Sequence, residues 1–550
     1  MGWATLAACL LAPIVAHGLW RPLAHAFGAA GTAQAITGAA LAIALACAVA
    51  GWLGGGKTLW IPVLVGGVVT VALVVGLSLG VAGLGALVPV AGLTTGLVSW
   101  LPPRLPAALD GLARRHRLLT VLYLLVALVS VASTARLSIF IGDPTAVDDQ
   151  VLPGEKFVEV HSCLTAYVRA SELVRQGVEN VYDDPWWHGS TGLPPLAAGV
   201  ENPYRPFLLD NFSYPPTFLL LEAPLTVLEG DFLAQRALWF GLNGLLAALG
   251  MWVVARWITG PAAHRVVLLA PLFFGSIPVL LTLQIGNFHL AAMVLALLAM
   301  VAFDRQRAFT GGALLAVTIL SKISPGVLGI VLLVQRRFRE AAITAGFGLL
   351  LTVASALCFG LDSMRAFLTF ALPRLSSGAA FPFMDTDAGI ATNMAPFGFP
   401  FKLKYLGFDL GDPWHLGPHV AHVYTLGLVV LAVVGARRRG DRHDQAVRWM
   451  ALLVLAAMQS PFAPAYTLIG LLWATTLLAV EVRRAWHAVA LIALWPALLV
   501  VPQGLATGAL AVLSIAHTVL AVGVCVWLVV RAPRVTAPSS PVPQPNRRTR

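Results

Sequence analysis

Long apolar runs, separated by Gly, Pro and small clusters of Arg and Lys, make up most of this chain. They lie near residues 3–19, 35–53 and 60–100, the last long enough for two helices with Gly and Pro at the break. Others follow near 118–141, 235–255, 266–283, 289–303, 311–334, 341–360, 420–435, 449–459 and 465–480, with two more before residue 530. Backbone cannot cross lipid with its polar groups unpaired, so apolar runs of about 18 to 25 residues read as helices. The pattern predicts an all-α polytopic membrane protein with about 14 to 16 spans. Two polar stretches interrupt it, at 142–215 and 361–418.

The basic clusters give the bundle a sidedness. Arg104 with Arg114, Arg115, His116 and Arg117 precedes the run from Leu118, which places 102–117 in the cytoplasm and carries the first polar stretch outside. Counting spans onward, Arg256, the group Asp304, Arg305 and Arg307, the group Arg336, Arg337 and Arg339, the stretch RRRGDRHDQAVR and EVRR all fall inside. Both polar stretches then fall outside. Residues 311–334 begin and end beside cytoplasmic clusters, which calls for two short tilted helices around SKISP or a re-entrant pair.

The expected division is 1–101 as extra amino-terminal helices, 102–117 as a cytoplasmic basic segment and 118–480 as a membrane core. Residues 481–530 are expected to hold carboxy-terminal helices, and the Pro- and Ser-rich 531–550 to be a disordered cytoplasmic tail.

Composition agrees with the pattern: 58% hydrophobic residues, 11% charged and a mean hydropathy of +0.82. The net charge of +11 sits beside apolar runs as orienting clusters, so no nucleic-acid partner is expected. Five scattered cysteines (Cys9, Cys47, Cys163, Cys358, Cys525) show no disulfide framework or metal-ligand spacing, and no metal or cofactor is expected. Glycine-rich phosphate loops and the common hydrolase motifs are missing as well.

Chemistry-bearing residues gather in the first polar stretch. Val160, Leu164, Tyr167, Val168, Leu173 and Val174 recur at helical spacing, with Glu159, Arg169, Glu172 and Arg175 on the other side. This predicts an amphipathic helix at the membrane interface, followed by Trp186 and Trp187 at headgroup depth. A loop merely packed on the bundle is the plainer alternative.

Several pieces resemble the GT-C superfamily of glycosyltransferases, and within it the polyprenyl-phosphate-mannose-dependent mannosyltransferase family. They are TAYVRAS, QGVENVYD, FSYPPTFLLLEAPL, LQIGN, the stretch GGALLAVTILSKISPGVLGIVLLVQRR, ATNMAPFGF and QSPFAP, in this order across residues 118–480. Residues 1–101 fall outside the resemblance. It implies a GT-C-like bundle and an inverting transfer of mannose, or a related sugar such as arabinose, at the outer face of the plasma membrane. The donor would be a polyprenyl-phosphate sugar, the acceptor a lipid-linked or envelope glycan, and a loop carboxylate would take the acceptor's proton.

On that resemblance Asp148 and Asp149, just past a helix end, are the first base candidates. His161 is the rival, because relatives carry their Asp nearer the tyrosine helix, where this chain has His161 and Cys163. Glu159 is a weaker option. Lys322, within an apolar segment, is expected to face a partner or a wet cavity, since a Lys there costs about 2.5–3.5 kcal/mol on insertion scales. It is assigned to the lipid phosphate. Tyr214, Gln284, Asn287 and Asn393 are candidate hydrogen-bonders to sugar or phosphate, and Lys402 with Lys404 to anionic groups. For each, a capping, turn or snorkelling role is the structural alternative. A lipid-sugar transporter or flippase, and a non-enzymatic assembly partner, are the competing functions.

Overall fold

A computed structural model describes residues 3–29, 31–54, 58–101, 117–182, 202–260, 263–479 and 505–531. The basic segment at 102–116, Trp186 and Trp187, residues 480–504 and the tail from 532 lie outside the described residues. The described ones form helices and connecting turns, with one isolated parallel bridge between His161 and Leu208.

Four helices open the chain: α1 (Trp3–Phe27), α2 (Ala33–Leu53), α3 (Trp60–Gly76) and α4 (Gly80–Trp100). Then follow α5 (Arg117–Gly142), the loop helix α6 (Cys163–Arg175), α7 (Phe232–Thr259), α8 (Ile277–Ile285), α9 (His289–Asp304), α10 (Ala308–Ser321), α11 (Val327–Val334) and α12 (Phe338–Phe359). The last four are α13 (Pro413–Arg437), α14 (Arg442–Ala457), α15 (Ile469–Ala479) and α16 (Thr507–Val530). Among the described residues, eight helices are long and apolar enough to cross a membrane, and nine if the bent pair α8–α9 counts as one span. The remaining expected spans fall on shorter apolar helices and on residues 480–504. Polar side chains start several helices by accepting the first free N–H groups, as Asp231 does for Ala234 at 2.9 Å and Asp441 for Asp444 at 2.8 Å.

One expected span is not continuous. Residues 266–283, read as a single helix, are split into His264–Val267, Ala270–Phe274 and α8. Pro271 and Pro278 lack the N–H that would continue the ladder, and Gly275 stands between the last two pieces. Side chains of α5 take up freed carbonyls: Tyr123 donates to Leu268 and Ser130 to Pro271. Gly286, in the left-handed region at φ 72°, then ends α8, and α9 leaves at 110°. Around SKISP the helix is likewise interrupted, between α10 and α11.

The amino-terminal helices grip the place where the first polar stretch begins. In the crossing of α1 with α7, a Cβ on Gly18 or on Gly241 would lie 2.7 Å from the other's Cα, so only glycine allows this approach. From α1, Arg21 donates to the carbonyl of Gly142, the last residue of α5. From α7, buried Arg236 donates to the carbonyls of Phe140 and Ile141, both at 3.1 Å, and of Gln284 at 3.3 Å. Two guanidinium groups thus satisfy carbonyls that a helix end leaves unpaired, where positive charge also suits the helix dipole.

The loop helix α6 is less one-sided than its spacing suggests. Leu164, Tyr167, Val168 and Leu173 are buried as expected, but Thr165, Ala166, Ala170 and Ser171 are buried too. Its polar side is covered: Arg169 pairs with Glu172, Tyr204 donates to Glu172 at 2.7 Å, and Arg175 pairs with Glu229 at 2.8 Å.

Candidate active site

Five pieces of chain meet at the amino-terminal end of α6. The bridge between His161 and Leu208 is fixed by Leu208 N–H donating to Val160 at 2.9 Å. Thr165 reinforces it, its hydroxyl donating to the Leu208 carbonyl and accepting from the Asp210 N–H, both at 3.0 Å. These bonds set Asp210 beside His161, with Oδ2 3.6 Å from Nε2, while its Oδ1 accepts from Asn211 N–H. Cys163 Sγ lies 3.5 Å from the same imidazole nitrogen.

Asn287, at the α8–α9 bend, donates to Cys163 Sγ at 3.3 Å and to the Tyr466 hydroxyl at 3.2 Å. The Tyr167 hydroxyl donates to that of Tyr214 at 2.9 Å. Thr217 ties the Tyr-Pro-Pro turn to the carbonyl of Leu320 at 2.7 Å, which brings Tyr214 under Lys322, whose Nζ stands 5.5 Å from the ring centre. Lys322 has no hydrogen bond or ion pair among the described residues, so its charge is free to meet an anion. His289 Nε2 is buried close by and likewise unpartnered among them, its ring 5.9 Å from that of Tyr466.

Burial sets the protonation of the loop groups here. The Cys163 thiol is pushed well up by desolvation, then by the Asp210 carboxylate beside it. The Tyr167 phenol is pushed well up by burial and by Tyr214. Both are neutral at ordinary pH.

Of the residues named from sequence, His161, Tyr214, Asn287 and Lys322 are brought together. The others lie away from this cluster. Asp149 pairs with Arg136 at 3.4 Å, the same Arg136 donates to the Asp148 carbonyl, and Asp148 itself is exposed. The Asp149 carboxylate and the Asp148 carbonyl therefore fasten the loop back onto α5. Gln284 spends its amide on the loop backbone, accepting from Val151 at 2.8 Å and donating to Val158 at 3.0 Å.

Asn393 donates to Pro461 at 2.9 Å and accepts from Ala395 and Ala463. Lys402, fully buried, donates to the Asn393 carbonyl and to Ser514 at 2.6 Å. Its ammonium is pushed down to about 7 by desolvation. These two residues lock the second polar stretch onto the QSPFAP turn, and that turn carries Tyr466 into the cluster.

Asp210, His289 and Tyr466 were missed in the sequence, and Tyr167 was read there only through its helical spacing and its place in TAYVRAS. Asp210 had a signal, since it closes the first polar stretch directly before the aromatic-Tyr-Pro-Pro motif; Tyr466 had none.

A multi-pass helical bundle with a cluster of acid, imidazole, amide and cation beside the ends of its helices defines the class. Residues 212–463 match the model of Glycosyltransferase family 87, a GT-C-type membrane glycosyltransferase family. The match includes Tyr214, Asn287, His289, Lys322, Asn393, Lys402 and the 461–463 turn, and begins two residues after Asp210. It supports a membrane glycosyltransferase, which takes a sugar donor and an acceptor. No curated protein and no solved structure matches the chain.

Proposed function

We propose that the protein transfers a sugar, mannose or a relative such as arabinose, from a polyprenyl phosphate to a lipid-linked or envelope glycan. The reaction takes place at the outer face of the plasma membrane with inversion. The observation that carries this reading is the pairing, in one cluster, of an unpartnered cation, Lys322 over Tyr214, with the acid–imidazole pair Asp210 and His161.

An acceptor hydroxyl attacks the anomeric carbon while its proton passes to the Asp210 carboxylate. His161 orients that carboxylate and steadies the charge balance. The bond from the anomeric carbon to the phosphate oxygen breaks, and the electron pair leaves on the lipid phosphate. Its charge is met by Lys322, the place for a preorganised cation in such a transfer. Asn287, Tyr214, Tyr466 and His289 provide hydrogen-bonding groups for sugar and phosphate. We assign base work to Asp210 rather than to Asp149, whose carboxylate Arg136 engages, or to Asp148, which is exposed and has no place in the cluster.

Purified full-length protein in nanodiscs, given a polyprenyl-phosphate mannose and a glycolipid acceptor, tests the reading. Asp210→Asn should lower turnover by about 10²- to 10⁴-fold, the usual worth of a general base, while Asp148→Asn with Asp149→Asn keeps it. Full activity in Asp210→Asn refutes the assignment. Flux of lipid-linked sugar across liposomes without any transfer would favour a flippase instead.

A further inference from the structure

His161, Cys163 and Asp210 are far from any ligand spacing in the sequence, yet one nitrogen, one sulfur and one carboxylate oxygen lie within 4.8 Å of one another. Around a tetrahedral ion with bonds of about 2.0–2.3 Å, neighbouring ligand atoms stand about 3.3–3.8 Å apart. Here His161 Nε2 is 3.5 Å from Cys163 Sγ and 3.6 Å from Asp210 Oδ2. We propose that these three residues form a site for a borderline-soft divalent cation of the zinc class, with the fourth position open.

The donor set selects that class, because a thiolate with an imidazole suits zinc and disfavours magnesium or calcium. Charge fits as well. Lys322 stands over Tyr214 beside the cluster, unpartnered among the described residues, so an uncompensated dication would be repelled. A thiolate and a carboxylate together neutralise it; the thiol proton leaves to solvent as the metal binds.

The surroundings hold the ligands in place. Asn287 donates to Cys163 Sγ at 3.3 Å, the outer-shell hydrogen bond a metal-bound sulfur takes. Asp210 Oδ1 is spent on Asn211 N–H, which leaves Oδ2 facing the other two ligands. A second grouping of the same kind, Asp441, His443 and Asp444, is committed otherwise: Asp441 caps α14 and Asp444 pairs with Arg531 at 2.9 Å.

A cation seated here occupies the oxygen and nitrogen that handle the acceptor's proton, so occupancy halts transfer. This consequence rests on the proposed function; the binding does not.

Cobalt added to metal-free full-length protein is the test. The expected result is one cobalt per chain with a sulfur-to-cobalt charge-transfer band, displaced by zinc. Cys163→Ser should lose the band and weaken binding by about 100-fold or more, and Cys358→Ser should keep both. Should Cys163→Ser fail to fold, His161→Gln must weaken binding while retaining the band. No stoichiometric binding, or a band that survives in Cys163→Ser, overturns the site. Stoichiometric binding with zinc-insensitive transfer overturns only the inhibition.

Discussion

Glu222 is a carboxyl placed where its charge is costly, and its removal has a calculable effect. It follows the Tyr-Pro-Pro turn, is 1% exposed, and leaves Oε2 without a partner among the described residues. Desolvation raises it from the ordinary 4.5 to about 7, with Glu172 and Glu229 adding to the rise and Ser171 and Arg175 opposing it. The folded state therefore binds a proton that the unfolded state has already lost between pH 4.5 and about 7.

Stability falls as pH rises through that window and stays low above it. At about 1.4 kcal/mol per unit, the difference amounts to roughly 3 kcal/mol at pH 8. Glu222→Gln keeps the shape and removes the charge, so it should unfold at a higher temperature than the parent at pH 8 and at nearly the same temperature at pH 5. Thermal unfolding of the purified protein in one detergent, read at both pH values, measures this. A parent and variant that differ equally at the two pH values would refute the reasoning, because the gain would then come from packing.

Gly241→Ala should loosen α1 from α7, since its Cβ meets backbone with no room to move; overpacking of this kind costs about 1–3 kcal/mol, measurable as an earlier unfolding midpoint. Gln284→Ala frees the Val151 N–H and Val158 carbonyl, and limited proteolysis should cut near 150–158 markedly faster than in the parent. Lys322→Met should lower kcat for the polyprenyl-phosphate donor by about 10²- to 10³-fold, the scale of losing one transition-state charge partner, with Lys322→Arg recovering part of it. Unchanged kcat in Lys322→Met would remove the phosphate role.

The helical plan was legible because it is written locally. Residues predicted near 235–255 and 341–360 emerge as Phe232–Thr259 and Phe338–Phe359, since an apolar run of that length has one way to satisfy its backbone in lipid. The loop helix was legible too, through the spacing of Leu164, Tyr167, Val168 and Leu173, though not its burial on the other face. The broken run from His264 to Ile285 was missed because an apolar average hides where Pro and Gly interrupt the ladder.

What the sequence determined by itself was the class of molecule, the helices and the polar stretch where acids, imidazole and tyrosines gather, all properties of neighbouring residues. The tertiary structure alone decided which acid stands beside His161. Asp148 and Asp149 sit where family resemblance would put a base, yet Arg136, only a dozen residues away in sequence, pairs with the Asp149 carboxylate and bonds the Asp148 carbonyl, and the Asp148 side chain is exposed. Asp210 is set against His161 by Thr165, which holds Leu208 and Asp210 to the start of α6. Tyr466 arrives beside Asn287 through a lock involving Asn393, Lys402 and Ser514. Such meetings join residues tens to hundreds of positions apart, and they follow from packing and hydrogen-bond satisfaction over the whole bundle, which no local pattern records.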